Sequence, residues 1–282
     1  MIRRLVPCLV ASVTALLVGA AGFTARAEVA AADQQALQSR YTNKVLIFRR
    51  SYRHLDRLEV KADGSLPDNL RPGFWSMDGA CQVKELAFRK DALVLKCTKL
   101  WANVKDDGQL HYFPVSAALK GKTDYPEKME IVFRINPAGE TAAQVTERLN
   151  RVFLSEQESV LSATPAPISA YIQKQAIQPD IDPVTGTGFA GTPPKPISTP
   201  IPDLPREALL VGQAGRESFI ALVDADGKAN VLAFTRLLQY GLEETTIEAV
   251  KQWKFQPAMK DGNPVAVRVA MDIDYKQPAP AR

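Results

Sequence analysis

Half of the chain's prolines fall in one span: ten of 20 lie between positions 165 and 205, and Pro193-Pro194-Lys195-Pro196 is the densest part. Proline fixes φ and has no amide hydrogen to donate, so neither a helix interior nor a central strand passes through such a span. The chain therefore divides there. Residues 161–205 read as an extended Pro-rich linker, and residues 28–160 and 206–276 read as units that each bury their own core. The linker contains Gly186-Thr187-Gly188-Phe189-Ala190-Gly191, a match to G-x-G-x-x-G. A dinucleotide-binding loop follows a strand and opens a helix. Here Pro183 stands before the match and Pro193-Pro194 behind it, so it is rejected.

The first residues are Met1-Ile2-Arg3-Arg4, followed by an uncharged, mostly apolar run over 5–23 and the small-x-small signal Ala25-Arg26-Ala27. Residues 1–27 are either a cleaved signal peptide or a membrane anchor, because the run approaches the ~20 residues of a spanning helix. Under either reading, the chain beyond Glu28 is exported. Of the three cysteines, Cys8 lies in this segment, which leaves Cys81 and Cys97. An even pair in an oxidising compartment predicts one disulfide.

Composition narrows the function. Hydrophobic residues make up 46% of the chain, enough for a packed core, and the net charge of +4 is too mild to argue for a nucleic-acid partner. The two histidines, His54 and His111, have no ligand partners at a recognised spacing, so no metal site is expected. There is no G-x-S-x-G, H-E-x-x-H, P-loop or Cys–His arrangement. No catalytic residue and no cofactor follow from this sequence, which does not read as an enzyme.

Residues 28–160 alternate short strand-like runs with turn signals. The runs lie at 45–48, 58–60, 86–88, 93–95 and 129–133; the turns are Asp63-Gly64 and Asp107-Gly108. This predicts a mostly β domain. A short helix is expected over 33–41. A second closes the domain, with Val145, Leu149, Val152 and Phe153 on one face and Thr141 as N-cap. Arg49, Arg50 and Arg53 cluster around Tyr52, as an anion site or a solvated strand end. Phe74, Trp75 and Trp101 line a cleft or fill a core. The role of this domain is not legible.

Residues 206–276 read β-β-α-β, which makes the chain α+β overall. Two apolar runs, 219–223 and 229–234, flank Asp224-Ala225-Asp226-Gly227 as a hairpin. A helix follows Gly241, with Thr246, Ala249, Val250 and Trp253 at helical spacing, and Pro257 is expected to end it. Lys260-Asp261-Gly262-Asn263 is turn chemistry. From Val265 the alternation is strict: Val265, Val267, Val269, Met271, Ile273 and Tyr275 face one way, Arg268, Asp272 and Asp274 the other. This predicts one half-buried strand over 265–275. Residues 277–282 form a tail.

The run Ala249-Val250-Lys251-Gln252-Trp253-Lys254-Phe255, then Pro257-Ala258, then Asp261-Gly262-Asn263-Pro264-Val265 and a long strand, resembles the C-terminal domain of TonB-family proteins. A Pro-rich spacer ahead of that domain fits the same family. The resemblance implies a periplasmic protein, soluble after signal cleavage or anchored in the inner membrane. It also implies a partner gripped by strand addition, either an outer-membrane transporter or another periplasmic protein. The gripping strand would be 265–275, carrying Val265, Val267, Arg268, Val269 and Asp272, with Arg268 and Asp272 as specificity contacts on the wet face. Trp253, Phe255 and Pro257 would be structural. Two roles stay open: an energy transducer coupled to an inner-membrane proton-channel complex, and a non-energised adaptor or binding module. The same edge could instead pair with a second copy of the chain.

Overall fold

The computed structural model describes residues 29–89, 91–119, 125–136, 139–181 and 187–277. The export segment expected over 1–27 lies outside them, as do 278–282.

Ahead of the Pro-rich span come α1 (Ala31–Tyr41), β1 (Val45–Ile47), β2 (Arg57–Val60), α2 (Trp75–Asp78), β3 (Ala80–Arg89), β4 (Ala92–Val104), β5 (Leu110–Pro114), α3 (Val115–Ala118), β6 (Lys128–Arg134) and α4 (Ala142–Val152). The six strands form one sheet in the order β1-β3-β4-β6-β2, with β5 also on β4. β4 is the hub because of its length. Its first half pairs with β6 and its second half with β5, while β3 lies along its other side. β2 joins β6 in parallel. α1 and α4 cover one face, where Leu37, Val145 and Leu149 pack with Leu93, Ile131 and Phe133. α4 starts with a capping box: the Gln144 amide donates to Thr141 Oγ1, and the Thr141 amide donates to Gln144 Oε1. Two of the three clustered arginines are engaged in structure: Arg49 pairs with Glu158 at 2.6 Å and Arg53 lies over the Phe74 ring.

Cys81 and Cys97 are buried free thiols, so the expected disulfide is not formed in this structure. The β3–β4 register explains the arrangement. It sets Cys97 opposite Val83 and Cys81 opposite Lys99, which leaves the two cysteines on a diagonal. Diagonal neighbours sit farther apart than directly opposed residues. The hydrogen bond with Cys97, together with burial, pushes the Cys81 thiol well above its ordinary range. The thiolate is the reactive form. Because both thiols are buried, a maleimide should leave both cysteines untouched in the folded protein and label both after unfolding without reductant. Absence of label in the unfolded chain would show that they are bonded.

After α4 a 3-10 turn at Val160–Ala163 leads to α5 (Ala166–Ile172), β7 (Lys195–Ser198), α6 (Arg206–Val211), β8 (Gly215–Val223), β9 (Ala229–Arg236), α7 (Leu242–Val250), β10 (Lys254–Gln256), β11 (Ala258–Lys260), β12 (Asn263–Val265) and β13 (Val267–Tyr275). β13, β8 and β9 form an antiparallel sheet in that order. The elements β8, β9, α7 and β13 follow one another in the chain, with three short strands between α7 and β13.

Those short strands alter two expectations. α7 ends at Val250 rather than at Pro257. Trp253 lies beyond the helix, Phe255 is in β10, and Pro257 connects β10 to β11. The strand expected over 265–275 is broken at Ala266. Val265 belongs to the β11–β12 hairpin, where it pairs with Ala258. Asp261 and Gly262 turn that hairpin with φ of 51° and 81°. Positive φ at both central positions is the primed turn that matches strand twist. The backbone of Val265 is thus committed to the hairpin before the chain enters the sheet.

The Pro-rich span departs furthest from expectation. Its described residues lie on the C-terminal domain rather than forming a free tether. β7 pairs antiparallel with β10, Ile181 bridges Val269, and Thr192 bridges Met259. Ile168 and Ile181 are buried in the same apolar cluster as Phe219 and Trp253. Two of the described prolines sit where no amide is needed. Pro165 precedes the first turn of α5, and Pro196 is in a two-stranded ladder that is all edge.

The two sheets are also less separate than expected. Trp75 of α2 and Ala102 and Val104 of β4 share a core cluster with Phe219 of β8, Val250 of α7 and Trp253. Trp101 stacks on Tyr240 with centroids 5.1 Å apart. Gln239 Oε1 accepts from the Val104 amide, and His54 Nε2 lies 2.9 Å from Glu207 Oε1.

A buried carboxyl at this junction makes stability depend on pH. The Trp75 amide donates to Glu244 Oε1 at 2.7 Å, and burial pushes the Glu244 carboxyl up from its ordinary 4.5 to about 7. Burial also raises Glu217 and Glu243. A carboxyl whose folded pKa exceeds its unfolded value binds protons more tightly when folded. Its contribution is therefore greatest at low pH and is lost as pH rises from about 4.5 to about 7. The thermal midpoint should rise as pH falls from about 7.5 to about 5, and Glu244→Gln should make that dependence shallower. An unchanged slope in the variant would show that Glu244 does not carry it.

Candidate partner-binding edge

β13 is the outer strand of its sheet. It pairs with β8 without interruption from Val267 opposite Val223 to Tyr275 opposite Gly215, and β9 occupies the other side of β8. The free side of β13 can be read from Arg268. Its amide donates outward to Asp180 Oδ2 at 2.7 Å, and its carbonyl accepts from the Asp180 amide at 2.8 Å. In an antiparallel pair the direction of backbone bonding alternates from residue to residue. Ala270, Asp272 and Asp274 therefore also turn their amides and carbonyls outward, whereas Val267, Val269, Met271 and Ile273 bond to β8.

Side chains fix the strand from its two faces. Val267 and Tyr275 are buried, and Val269, Met271 and Ile273 pack at the margin of the core. At the strand's end, Tyr275 Oη lies 2.6 Å from Thr246 Oγ1, whose hydroxyl donates to Glu217. On the exposed face Arg216 of β8 lies across from the acids, 3.0 Å from Asp274 and 3.7 Å from Asp272.

Arg268 is already engaged. Its Nη2 reaches Asp180 Oδ1 at 2.5 Å and its Nε reaches the same oxygen at 3.1 Å. The guanidinium holds the Asp180 carboxyl below the usual carboxylate range. Ile181 bridges Val269 in parallel and is 8% exposed. Among the described residues, Asp180 and Ile181 are the ones that cover this edge.

Val267, Arg268, Val269 and Asp272 thus share one strand, and Val265 lies outside it. Trp253 and Phe255 are in the core. Trp253 lies 6.2 Å from the Phe219 ring, and its indole N–H donates to the Pro200 carbonyl at 2.9 Å. Sequence reasoning misses Asp180, Ile181 and Arg216. The first two follow Pro179, and a proline in that position reads as a bar to pairing. Among the described residues no group of three His, Cys, Asp or Glu side chains is placed to hold a metal, and no helix is long and apolar enough to cross a membrane.

Residues 200–277 match the family model described as Gram-negative bacterial TonB protein C-terminal. Residues 200–277 are therefore similar to a TonB C-terminal domain. The match begins at Pro200, so the TonB domain takes in the proline whose carbonyl receives the Trp253 indole. Over 78 residues the chain is 37% identical to Protein TonB of Vibrio cholerae serotype O1; these are 27% of this chain and 31% of that protein. The chain thus spans about a third of the length of the curated relative it matches. It also matches the solution NMR structure of the Pseudomonas aeruginosa TonB CTD, at 24% identity and a TM-score of 0.24, over 32% of this chain and 89% of the other.

Proposed function

We propose that this protein works in the periplasm and captures an outer-membrane transporter by accepting an extended peptide on the outer edge of β13. The observation that carries the reading is the outward set of backbone groups at Ala270, Asp272 and Asp274, on a strand held from behind by β8. Strand addition takes its affinity from such groups and its specificity from alternate side chains. Asp272 and Asp274, exposed beside Arg216, are the side chains an incoming strand meets first.

Within that function, the Pro-rich span bears on energy coupling. A transducer anchored in the inner membrane needs reach, and an extended chain supplies about 3.1 Å per residue. Here β7, Ile168 and Ile181 lie on the folded domain. This supports the adaptor reading over direct transduction, and a second copy of the chain is an alternative occupant of the edge. A cysteine in place of Asp272 should cross-link to an outer-membrane protein in intact cells, whereas one in place of Asp226, at the tip of the β8–β9 hairpin, should not. Cross-linking from Asp226 alone would place the partner elsewhere. A cross-link from Asp272 only to another copy of the chain would make the edge a self-association surface.

A further inference from the structure

The docking edge carries a resident. Asp180 and Ile181 occupy the Arg268 end of β13 as an incoming strand would. The Asp180 amide donates to the Arg268 carbonyl, the Asp180 carboxylate takes the Arg268 amide and guanidinium, and Ile181 lies in parallel register beside Val269. Both kinds of contact used in strand addition are present, main-chain bonding and a side chain seated on an apolar surface. Further along β13 the outward groups of Asp272 and Asp274 have no strand against them among the described residues.

We infer that Asp180–Ile181 is an intramolecular competitor for the partner edge, and that a partner strand gains the full length of β13 only by displacing it from Arg268. The inference rests on the strand-addition function proposed for this edge. The resident is tied to the domain by the chain itself, so it competes at high effective concentration. A partner's apparent affinity is then reduced by the fraction of molecules in which the resident is seated. The Arg268–Asp180 pair is charge-assisted and bidentate, the kind of contact that holds such a segment in register. The pair also defines the group that must replace it. A partner strand that covers Arg268 without offering an acceptor leaves the guanidinium unpaired, so partners with a carboxylate at that position are favoured.

The test uses the full-length protein and a probe that needs no knowledge of the partner: a blocked synthetic peptide of residues 174–181 of this chain, added in trans. The native protein and Asp180→Ala are compared. The pair lies at the surface, with side chains 42% and 32% exposed, so the variant should unfold at nearly the same midpoint as the native protein. It should bind the peptide about tenfold more tightly. Its Arg268 amide should also exchange with deuterium faster in the absence of peptide. Equal peptide affinity together with unchanged exchange at Arg268 would overturn the inference. The Asp272 cross-link separates this from the proposed function. Tighter peptide binding and faster exchange without any outer-membrane cross-link would uphold the intramolecular competitor and remove the proposed partner.

Discussion

Trp253→Ala should destabilise the protein by about 3–5 kcal/mol, the range for removing a large aromatic side chain from a packed core. Trp253 is 8% exposed and lies between the Phe219 and Phe255 rings. Its removal opens a cavity under the sheet and leaves the Pro200 carbonyl without its indole donor. The effect should reach past the site itself, because that hydrogen bond ties the Pro-rich span to the domain. Trp253→Phe should recover part of the loss, through packing alone. Denaturant unfolding of the three proteins measures this, and a loss below about 1 kcal/mol for the alanine variant would mean that Trp253 is not the centre of this core.

Val269→Pro should be at least as damaging, at about 3 kcal/mol or more. The reason is the direction of its amide. Because Arg268 bonds outward, Val269 bonds inward to β8, and proline there removes a rung from the interior ladder of the sheet. Its half-buried side chain also packs against the core cluster. The variant should lose its cooperative unfolding transition at a lower denaturant concentration than Trp253→Phe. A Val269→Pro protein of native stability would show that the alternation assigned along β13 is wrong.

The alternation itself is readable in the sequence, and so are the features that act locally. Thr141 caps α4, Asp224 to Gly227 turn the β8–β9 hairpin, and Asp261-Gly262 turn the β11–β12 hairpin because few other residues accept positive φ at both positions. The features that escape depend on distant partners. Trp253 continues the helical spacing of Thr246, Ala249 and Val250, yet the helix stops because Phe255 pairs with Pro196 in another strand. Ala266 follows the period of β13, yet the strand breaks because Val265 is claimed by Ala258. Asp180 and Arg268 are separated by 88 positions, and no local pattern joins them. The prolines mislead for a physical reason. They forbid central strands and helix interiors but not edges and first turns, and Pro196 in β7 and Pro167 in the first turn of α5 take such places.

The same alternation supplies the most direct test of the proposed function. Asp272 points its amide away from β8, toward the open side of the sheet, so Asp272→Pro removes one outward donor and leaves the interior ladder intact. The measurement is in-cell cross-linking of the domain to the proposed outer-membrane partner, from a cysteine in place of Asp274, with and without Asp272→Pro. Unfolding of the same proteins is followed in parallel. The expected result is loss of the cross-link in a protein that remains folded. Full cross-linking by a folded Asp272→Pro protein would contradict strand addition at β13.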